Sequence, residues 1–333
     1  MLKNILIKNF KSIKKSELEC GRINVFIGEP NSGKTNILEA ISLLSIGYSK
    51  KVENIIRFED FSNLFYDNDI RKKVELNFKS DNKYGDYQNP DYVCDQKVTI
   101  EFSDDFKIIS EGQILGCNFN MINSNNKFSL NIISKEGSPI KYYDFKKYKV
   151  YDGKELDFIY PPNGKNLYNI LQTNSDLREY AKNLFENYGY NILLEQESKK
   201  IKIAKIFDGI LISQPFYTVA DTLQRMLFYS AIIETNKDSS IIIDEPDVYL
   251  FPKYTKYLAE RIAKYNTNQF FFSTHNPYFL LTLAEKTPVE DLRIFLTYFE
   301  DYQTKVKLLN KEEVLNLRED DANFFFNIEN YKD

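Results

Sequence analysis

Apolar and polar residues alternate at the start of the chain and then change to a helical period. Residues 2–9 alternate in the manner of a half-buried strand. Residues 22–27, Arg-Ile-Asn-Val-Phe-Ile, are mostly β-branched or aromatic, and they predict a second strand that stops at Gly28. Beyond Thr35 the apolar residues recur at helical spacing: Ile37, Leu38, Ile41 and Leu44. We therefore expect a strand, a glycine-containing loop and a helix in that order.

Residues 52–205 alternate between apolar and polar positions in short segments, separated by Asn, Asp and Gly. This pattern predicts antiparallel β structure, as in Val-Glu-Leu-Asn-Phe, Lys-Val-Thr-Ile-Glu-Phe, Lys-Phe-Ser-Leu-Asn-Ile-Ile and the tyrosine-rich residues 142–151. The run Pro-Pro-Asn-Gly at 161–164 breaks the chain. A helix is predicted over 167–188, followed by a strand pair at 192–194 and 201–206.

From Asp221 onward the pattern is that of alternating helices and strands. A helix is predicted to Thr235, a buried strand at 241–243, a second helix at 254–265 and another buried strand at 269–272. The chain is therefore expected to be α/β, with a central mixed or parallel sheet and a β-rich antiparallel lobe. We predict one domain over 1–333, made of three segments: 1–50, 51–205 and 206–333.

Composition narrows the class of protein. Hydrophobic residues make up 43% and charged residues 28%, which is typical of a globular chain. No apolar run is long enough to span a bilayer, and the first residues lack the pattern of a signal peptide. Three cysteines far apart indicate neither a disulfide framework nor a zinc cluster. We therefore predict a soluble cytoplasmic protein with no membrane partner.

The net charge of −4 gives no overall basic field of the kind that nucleic-acid-binding proteins carry. A local stripe of lysines or arginines could still contact DNA on an acidic protein, so DNA stays open as a partner.

The loop after the second predicted strand carries the clearest chemical motif. Residues 28–35, Gly-Glu-Pro-Asn-Ser-Gly-Lys-Thr, match the P-loop pattern at every fixed position. Backbone amides of such a loop surround phosphate oxygens, Lys34 would reach the β and γ phosphates of ATP, and the Thr35 hydroxyl would bind Mg²⁺. The alternative, a chance glycine-rich turn, does not explain the strand before it and the helix after it. The predicted nucleotide contacts are Gly28, Glu29, Pro30, Asn31, Ser32, Gly33, Lys34, Thr35 and Asn36.

A second motif follows the predicted strand at 241–243. Asp244 and Glu245 come directly after three isoleucines, and the carboxyl end of a buried strand is where open α/β sheets bind ligands. We expect Asp244 to hold Mg²⁺ through the water shell of the ion, and Glu245 to orient or deprotonate the attacking water. An acidic turn after a core strand is the plain alternative, but the P-loop favours the catalytic interpretation.

The only histidine of the chain, His275, follows the buried strand at 269–272. A lone histidine is usually a surface residue or a satisfied core residue. At this position, downstream of the acidic pair, an imidazole could hydrogen-bond the γ-phosphate and the attacking water. We therefore predict that His275 is catalytic.

The order of these motifs, with Lys34 and Asp244 lying 210 positions apart, resembles the ABC-type P-loop ATPases. Within that class the runs Ile7–Ile13 and Gly33–Ile41 look like the RecF, OLD and structural-maintenance-of-chromosomes branch. The resemblance is closest to stand-alone OLD-like AAA family ATPases, which carry a segment similar to residues 220–225 before their acidic motif. It covers about residues 1–50 and 205–285.

This resemblance implies an ATP-dependent homodimer in which the P-loop of each copy faces the signature segment of the other. The matching segment is 220–225, so Asp221 and Thr222 are expected to contact nucleotide. Asp221 with Gln224 also suits a helix N-cap with a capping box. Ala220 occupies the position of the family's serine, and Thr218 or Thr222 could substitute for the missing hydroxyl.

Two further residues are placed by the same resemblance. Arg225 is either a structural ion-pair residue or a contact to the other subunit. Asp247 matches the position at which the family couples the two sites.

What the chain lacks also matters. It has no heptads for coiled-coil arms, and the 58 residues after His275 are too few for the TOPRIM nuclease domain of full OLD proteins. We therefore expect a separate nuclease or toxin effector, in DNA repair or anti-phage defence. A low-turnover, nucleotide-dependent scaffold is the alternative. A GTPase is rejected, because residues 236–239, Asn-Lys-Asp-Ser, have Ser where guanine recognition requires Asp.

Overall fold

The computed structural model describes residues 1–49, 51–81, 93–124, 127–133, 137–319 and 331–332. Its strands, in chain order, are β1 (Leu2–Phe10), β2 (Ile13–Glu19), β3 (Ile23–Ile27), β4 (Val74–Asp81), β5 (Val93–Phe102), β6 (Phe106–Gly112), β7 (Phe119–Ser124), β8 (Lys127–Ile132), β9 (Ile140–Tyr143), β10 (Asn191–Glu195), β11 (Lys200–Phe207), β12 (Ile210–Pro215), β13 (Ser240–Ile243), β14 (Gln269–Ser273), β15 (Leu292–Glu300) and β16 (Gln303–Leu308).

The α-helices are α1 (Lys34–Ser42), α2 (Ile46–Ser49), α3 (Leu167–Thr173), α4 (Ser175–Glu186), α5 (Asp221–Thr235), α6 (Pro252–Lys264), α7 (Pro277–Lys286) and α8 (Lys311–Glu319). Short 3-10 helices occur at Leu43–Ser45, Val52–Asn54, Phe61–Leu64, Tyr66–Asn68 and Phe216–Thr218.

A mixed sheet carries the strands that precede the predicted motifs. Its order is β16-β15-β3-β14-β13-β9, and all neighbours are parallel except the β15–β16 pair. β3, β13 and β14 are buried along their whole length, which explains their near-continuous apolar sequences. Their carboxyl ends meet at one edge of the sheet, where residues 28, 244 and 274 begin the loops that follow.

Alternate residues of the central strands enter two different cores. Ile241 and Ile243 pack with helices α3 to α7 on one face of the mixed sheet, whereas Ile242 packs on the other face. That second face is covered by α1, whose apolar residues pack with those of a second sheet. The second sheet is antiparallel, with the order β2-β1-β4-β5-β6-β7-β8. α1 thus lies between the two sheets, and this fixes the helix that begins at Lys34.

The structure corrects several predicted elements. A strand that the sequence pattern did not suggest, β2, pairs with β1, and the predicted helix at 167–188 is two helices. Asn174 separates them because its side chain accepts a hydrogen bond from the Leu177 amide and caps α4. In the tyrosine-rich segment only β9 is a strand, and it pairs in parallel with β13. The elements β12, α7, β15, β16 and α8 were also not predicted.

The sheets do not follow the three predicted segments, since the antiparallel sheet combines strands from 1–50 with strands from 51–205. The acidic cluster Glu319-Asp320-Asp321 has the sequence of a solvated turn; Glu319 ends α8, and residues 320 and 321 lie outside the described residues. Cys20, Cys94 and Cys117 are buried and free. Among the described residues, no helix is long and apolar enough to cross a membrane.

Candidate functional site

The loop after β3 adopts a backbone that its glycines permit. Gly28 and Gly33 have φ angles of 145° and 100°, in the region that side chains disfavour. A Cβ at Gly28 would lie 2.0 Å from the Thr297 carbonyl oxygen, and one at Gly33 would lie 2.0 Å from the Thr304 hydroxyl oxygen. The close approach of β15 and β16 therefore requires glycine at both positions.

Hydroxyl and amide side chains hold the loop against its neighbours. The Ser32 hydroxyl lies 2.7 Å from that of Thr297, and the Ser12 hydroxyl lies 2.7 Å from that of Thr304. Asn36 donates to the Ser12 hydroxyl oxygen at 2.7 Å, so its amide supports the loop in addition to lining the site. These contacts fix the loop against β15 and against the turn between β1 and β2.

Lys34 is buried and folds back over the loop. Its Nζ donates to the carbonyl oxygens of Gly28 and Glu29 at 3.0 and 2.8 Å. Burial lowers the pKa of Lys34 to about 8, while the nearby carboxylates of Glu245 and Asp244 act in the opposite direction. The ammonium group is therefore desolvated and offers its donors to an anion that enters the loop.

The two acids predicted after β13 are held by Ser273 at the end of the neighbouring strand β14. The Ser273 hydroxyl donates to Asp244 Oδ1 and accepts from the Glu245 amide at 3.0 Å. Glu245 has a φ of 47°, an uncommon value for a residue with a side chain. Such strained residues cluster at functional sites, and this one lines the pocket beside the P-loop.

His275 lies beside Glu245, with 3.4 Å between its Nε2 and Glu245 Oε1. Burial and the charge of Lys34 lower the pKa of His275 below its usual value. The imidazole is therefore neutral near pH 7, and its contact with Glu245 is a polar contact rather than an ion pair. A neutral imidazole can donate from one nitrogen and accept at the other, which suits a contact to both water and phosphate.

These side chains surround a pocket of about 280 Å³. The residues that line it are Pro30, Asn31, Gly33, Lys34, Thr35, Asn36, Arg57, Glu245 and His275. Gly28, Glu29 and Ser32 are not lining residues, but each contacts Lys34 Nζ. The carboxylate of Asp244 lies close enough to offset part of the lowering of the Lys34 pKa. The hydroxyl of Thr35 and the carboxylate of Asp244 are oxygen donors of the kind that Mg²⁺ prefers.

Arg57 is a pocket residue that sequence reasoning missed. Its Nε donates to Glu39 Oε1 at 2.9 Å, while 72% of its side chain stays exposed. Lys11 contacts the other oxygen of Glu39 and also donates to the Arg57 carbonyl oxygen at 2.6 Å. A buried carboxylate needs cations beside it. Glu39, an acid within the apolar run of α1, was therefore the feature of the sequence that could have indicated a nearby arginine or lysine.

The structure does not bring Asp221 and Thr222 to the pocket of their own chain. Asp221 pairs with Lys147, and the Thr222 hydroxyl donates to the Tyr249 carbonyl oxygen at 2.7 Å. The predicted capping box is wrong, because α5 has Ala220 at its N-cap and no side-chain cap. Gln224 donates instead to the Val219 carbonyl oxygen at 2.6 Å.

Arg225 and Asp247 flank this helix start. The Arg225 guanidinium lies 4.6 Å from the ring centroid of Phe145 and 5.1 Å from that of Tyr249, and it donates to the Tyr229 hydroxyl. It therefore has a structural cation–π role within its own chain. Burial raises the pKa of Asp247 to about 6, and its Oδ1 has no hydrogen-bond partner within the described residues.

Removing the Ser273 hydroxyl should slow the ATP hydrolysis that the sequence motifs predict for this site. Ser273→Ala deletes the bond that orients Asp244 and the acceptor for the Glu245 amide, and one hydrogen bond to a charged group corresponds to about a tenfold effect. We expect kcat to fall about tenfold with a smaller change in the KM for ATP. Steady-state kinetics measures both constants. An unchanged kcat, or a rise in KM as large as the fall in kcat, would refute the positioning role. Ser273→Thr, which keeps the hydroxyl, should recover most of kcat.

The chain matches a known protein family and several curated relatives. The model of the family described as "AAA domain, putative AbiEii toxin, Type IV TA system" matches residues 23–281, from the start of β3 into α7. A DNA replication and repair protein RecF from Thermoanaerobacter sp. (strain X514) is 34% identical over 131 residues, which are 33% of this chain and 35% of that protein. RecF from Clostridium beijerinckii is 28% identical over 252 residues, 63% of this chain and 66% of that protein. The chain thus spans about a third of the length of the first relative.

Solved structures of SMC head domains share the fold. An SMC head bound to the C-winged helix domain of ScpA has a TM-score of 0.60 at 15% identity, covering 95% of this chain and 99% of that one. An SMC head with an extended coiled coil, bound to the C-terminal domain of ScpA from Pyrococcus furiosus, has a TM-score of 0.57 at 14% identity, covering 96% and 99%. At these identities the likeness concerns fold alone, and it confirms the predicted fold class.

Proposed function

We propose that this chain passes through an ATP-driven cycle of dimerisation and hydrolysis. The chain belongs to the AAA domain family, whose model matches residues 23–281. The chain is an ABC-type P-loop ATPase, as its sequence motifs indicated. One observation carries the proposal: the ends of β3, β13 and β14 bring Lys34, Glu245 and His275 into one pocket. The more specific resemblance to OLD-like proteins stays a prediction.

In the proposed binding step, the triphosphate lies along the loop at residues 28–35. Backbone amides at the start of α1 would face the phosphates, and the positive end of the helix dipole favours the anion there. Lys34 would exchange its two loop carbonyl oxygens for phosphate oxygens. Arg57, held by Glu39 with its guanidinium largely exposed, would add a second cation at the pocket rim.

In the proposed hydrolytic step, Glu245 accepts a proton from the attacking water. Its carboxylate faces the pocket, and Ser273 fixes its backbone amide. His275 would hydrogen-bond the water or the γ-phosphate through a neutral ring. Thr35 and Asp244 would hold Mg²⁺, which when bound supplies positive charge against the phosphates.

A second copy of the chain would complete the site. Ala220 is exposed at the start of α5, and the amides of this helix end have no side-chain cap. The side chains of Asp221 and Thr222 contact their own chain. Any contribution to nucleotide binding must therefore come from the backbone amides at the amino end of α5. We therefore place the amino end of α5 against the P-loop of the partner copy.

Substitution at Ala220 tests this arrangement. In a Glu245→Gln background, ATP should convert the chain into a dimer that light scattering detects, and Ala220→Arg should prevent it because the bulky side chain lies at the contact. ATP binding to the monomer should survive, since Ala220 does not line the pocket of its own chain. An unchanged dimer in Ala220→Arg would refute the placement.

Ala220→Ser is the matched control for that experiment. Its hydroxyl can cap α5, which should raise the free energy of unfolding by about 1 kcal/mol. We expect the ATP-dependent dimer to persist and turnover to stay equal or rise, because the serine restores the missing hydroxyl.

We further propose that the ATPase serves DNA repair or anti-phage defence with a separate nuclease or toxin effector. Two similarities support this: the RecF relatives are DNA replication and repair proteins, and the matching family includes a putative toxin of a type IV TA system. Stimulation of ATP hydrolysis by DNA, with a steep dependence on salt, would support a direct DNA partner.

A low-turnover scaffold is the second candidate, and Ala220 favours it because a hydroxyl at the helix end is missing. A constant oligomer that binds ATP tightly without hydrolysing it would establish this alternative. An ATP-dependent dimer with measurable turnover would establish the switch.

A further inference from the structure

A larger cleft lies at the opposite end of the mixed sheet from the nucleotide pocket. We call it the amino-end cleft, because Pro139 and Ser239, which come just before β9 and β13, are part of its wall. It has a volume of about 580 Å³. Asp244 and Glu245 follow the carboxyl end of the same β13, so the cleft is separate from the proposed ATP site.

Three lysines from different parts of the chain converge on this cleft. Lys141 comes from β9, Lys154 from the segment before α3, and Lys237 from the turn before β13. Asp238 is the one acidic residue in the wall, so the described lining carries a net charge of +2. Such a wall attracts anions.

Lys141 is the unusual member of this group because only 6% of it is exposed. Its Nζ donates to Asn236 Oδ1 at 2.7 Å and lies 3.8 Å from the centre of the Phe158 ring. Within the described residues it forms no ion pair with a carboxylate. A buried ammonium group with neutral partners is costly, and burial lowers the pKa of Lys141 to about 8.

The rest of the wall suits an organic molecule rather than a bare ion. Tyr48, Leu156 and Tyr160 provide aromatic and aliphatic surface. Gly47 leaves room in the wall, because a Cβ there would meet only Ile132 Cδ1, at 4.0 Å. The volume falls in the range of about 300–1,000 Å³ that is usual for small-molecule sites.

We propose that the amino-end cleft binds a small phosphorylated molecule of about the size of a mononucleotide, with its phosphate at Lys141, Lys154 and Lys237. A phosphate monoester carries about −1.5 to −2 charges at pH 7, which matches the net charge of the wall. Lysine ammonium groups bind such phosphates as compact point charges. The site does not depend on ATP hydrolysis, and nothing in the proposed cycle requires it.

Calorimetric titration of the whole chain tests the proposal. A Lys34→Ala background weakens phosphate binding at the P-loop, and the probes are AMP, ribose 5-phosphate, inorganic phosphate and citrate. We expect one AMP or ribose 5-phosphate per chain, bound more tightly than inorganic phosphate or citrate. Preference for AMP would identify a nucleotide, and equal binding of the two organic phosphates would identify the sugar phosphate as the recognised part.

Lys154→Gln and Lys237→Gln should each weaken this binding about tenfold, the effect of one charge-assisted hydrogen bond. Both lysines are exposed, so the fold should tolerate the changes. The double variant Lys182→Gln/Lys286→Gln removes the same charge away from the cleft and should bind normally. Absence of binding at millimolar probe, binding unaffected by Lys154→Gln/Lys237→Gln, or citrate bound as tightly as AMP would overturn the proposal.

Discussion

Glu245→Gln should lower the rate of ATP hydrolysis by about 10²–10⁴-fold while ATP binding persists. The amide cannot accept a proton from water, but it keeps the shape of the side chain and the backbone bond to Ser273. Removing the negative charge also leaves more positive charge near Lys34, since the Glu245 carboxylate is one of two acids near that ammonium group. ATP affinity should therefore stay equal or rise.

The measurement is phosphate release under saturating ATP, with ATP affinity measured in parallel. Glu285→Gln offers a matched control, because this exposed acid on α7 loses the same charge outside the pocket. Turnover of Glu245→Gln within a few-fold of the wild type would exclude Glu245 as the general base. Loss of ATP binding in the same variant would instead assign the residue to nucleotide binding.

The dimer gives this variant a second readout. If hydrolysis separates the two copies, a chain that binds ATP without hydrolysing it should accumulate as a dimer. If Glu245→Gln dimerises with ATP but hydrolyses ATP at the wild-type rate, the proposed association step would stand. Glu245 would then have no part in the chemical step.

The sequence predicted the parts of the site whose geometry is local. The P-loop needs only its own glycines, the strand before it and the helix after it, and all of these lie within residues 22–44. Asp244, Glu245 and His275 were predicted because each follows a short apolar run that indicates a buried strand, and both strands are present as β13 and β14.

Residues that act through distant contacts were not predicted. Ser273 is an ordinary strand residue until β14 lies beside β13, where its hydroxyl reaches both acids. Arg57 reaches the pocket only because Glu39 of α1 holds it. The glycine contacts with Thr297 and Thr304 likewise depend on β15 and β16 packing against the loop, and no local pattern indicated that pairing.

The start of α5 shows the reverse error, in which a local rule suggested a contact that the fold does not make. The spacing of Asp221 and Gln224 fits a capping box, but the helix begins one residue earlier than that motif requires. Asp221 instead pairs with Lys147 from the loop after β9, and Gln224 turns back to the backbone at Val219. Long-range pairing thus replaced a local cap.

Lys34→Ala should weaken ATP binding by about 10²-fold or more, because it removes charge-assisted hydrogen bonds to the β and γ phosphates. Equilibrium dialysis with labelled ATP measures this loss. Lys286→Ala, a change at an exposed lysine outside the pocket, should bind ATP as the wild type does. Equal affinity of Lys34→Ala and wild type would remove Lys34 from the site.

The pH dependence of ATP binding provides a sharper test of the same residue. Burial lowers the pKa of Lys34 to about 8 in the free chain, so the ammonium form dominates below pH 8 and is lost as the pH rises above it. Phosphate binds the protonated form, and each pH unit above 8 should therefore lower the apparent ATP affinity by up to tenfold. Lys34→Arg should bind less well in absolute terms but lose this dependence, since arginine stays protonated throughout the range. A wild-type affinity that is constant from pH 7 to pH 10 would show that the buried ammonium group does not control phosphate binding.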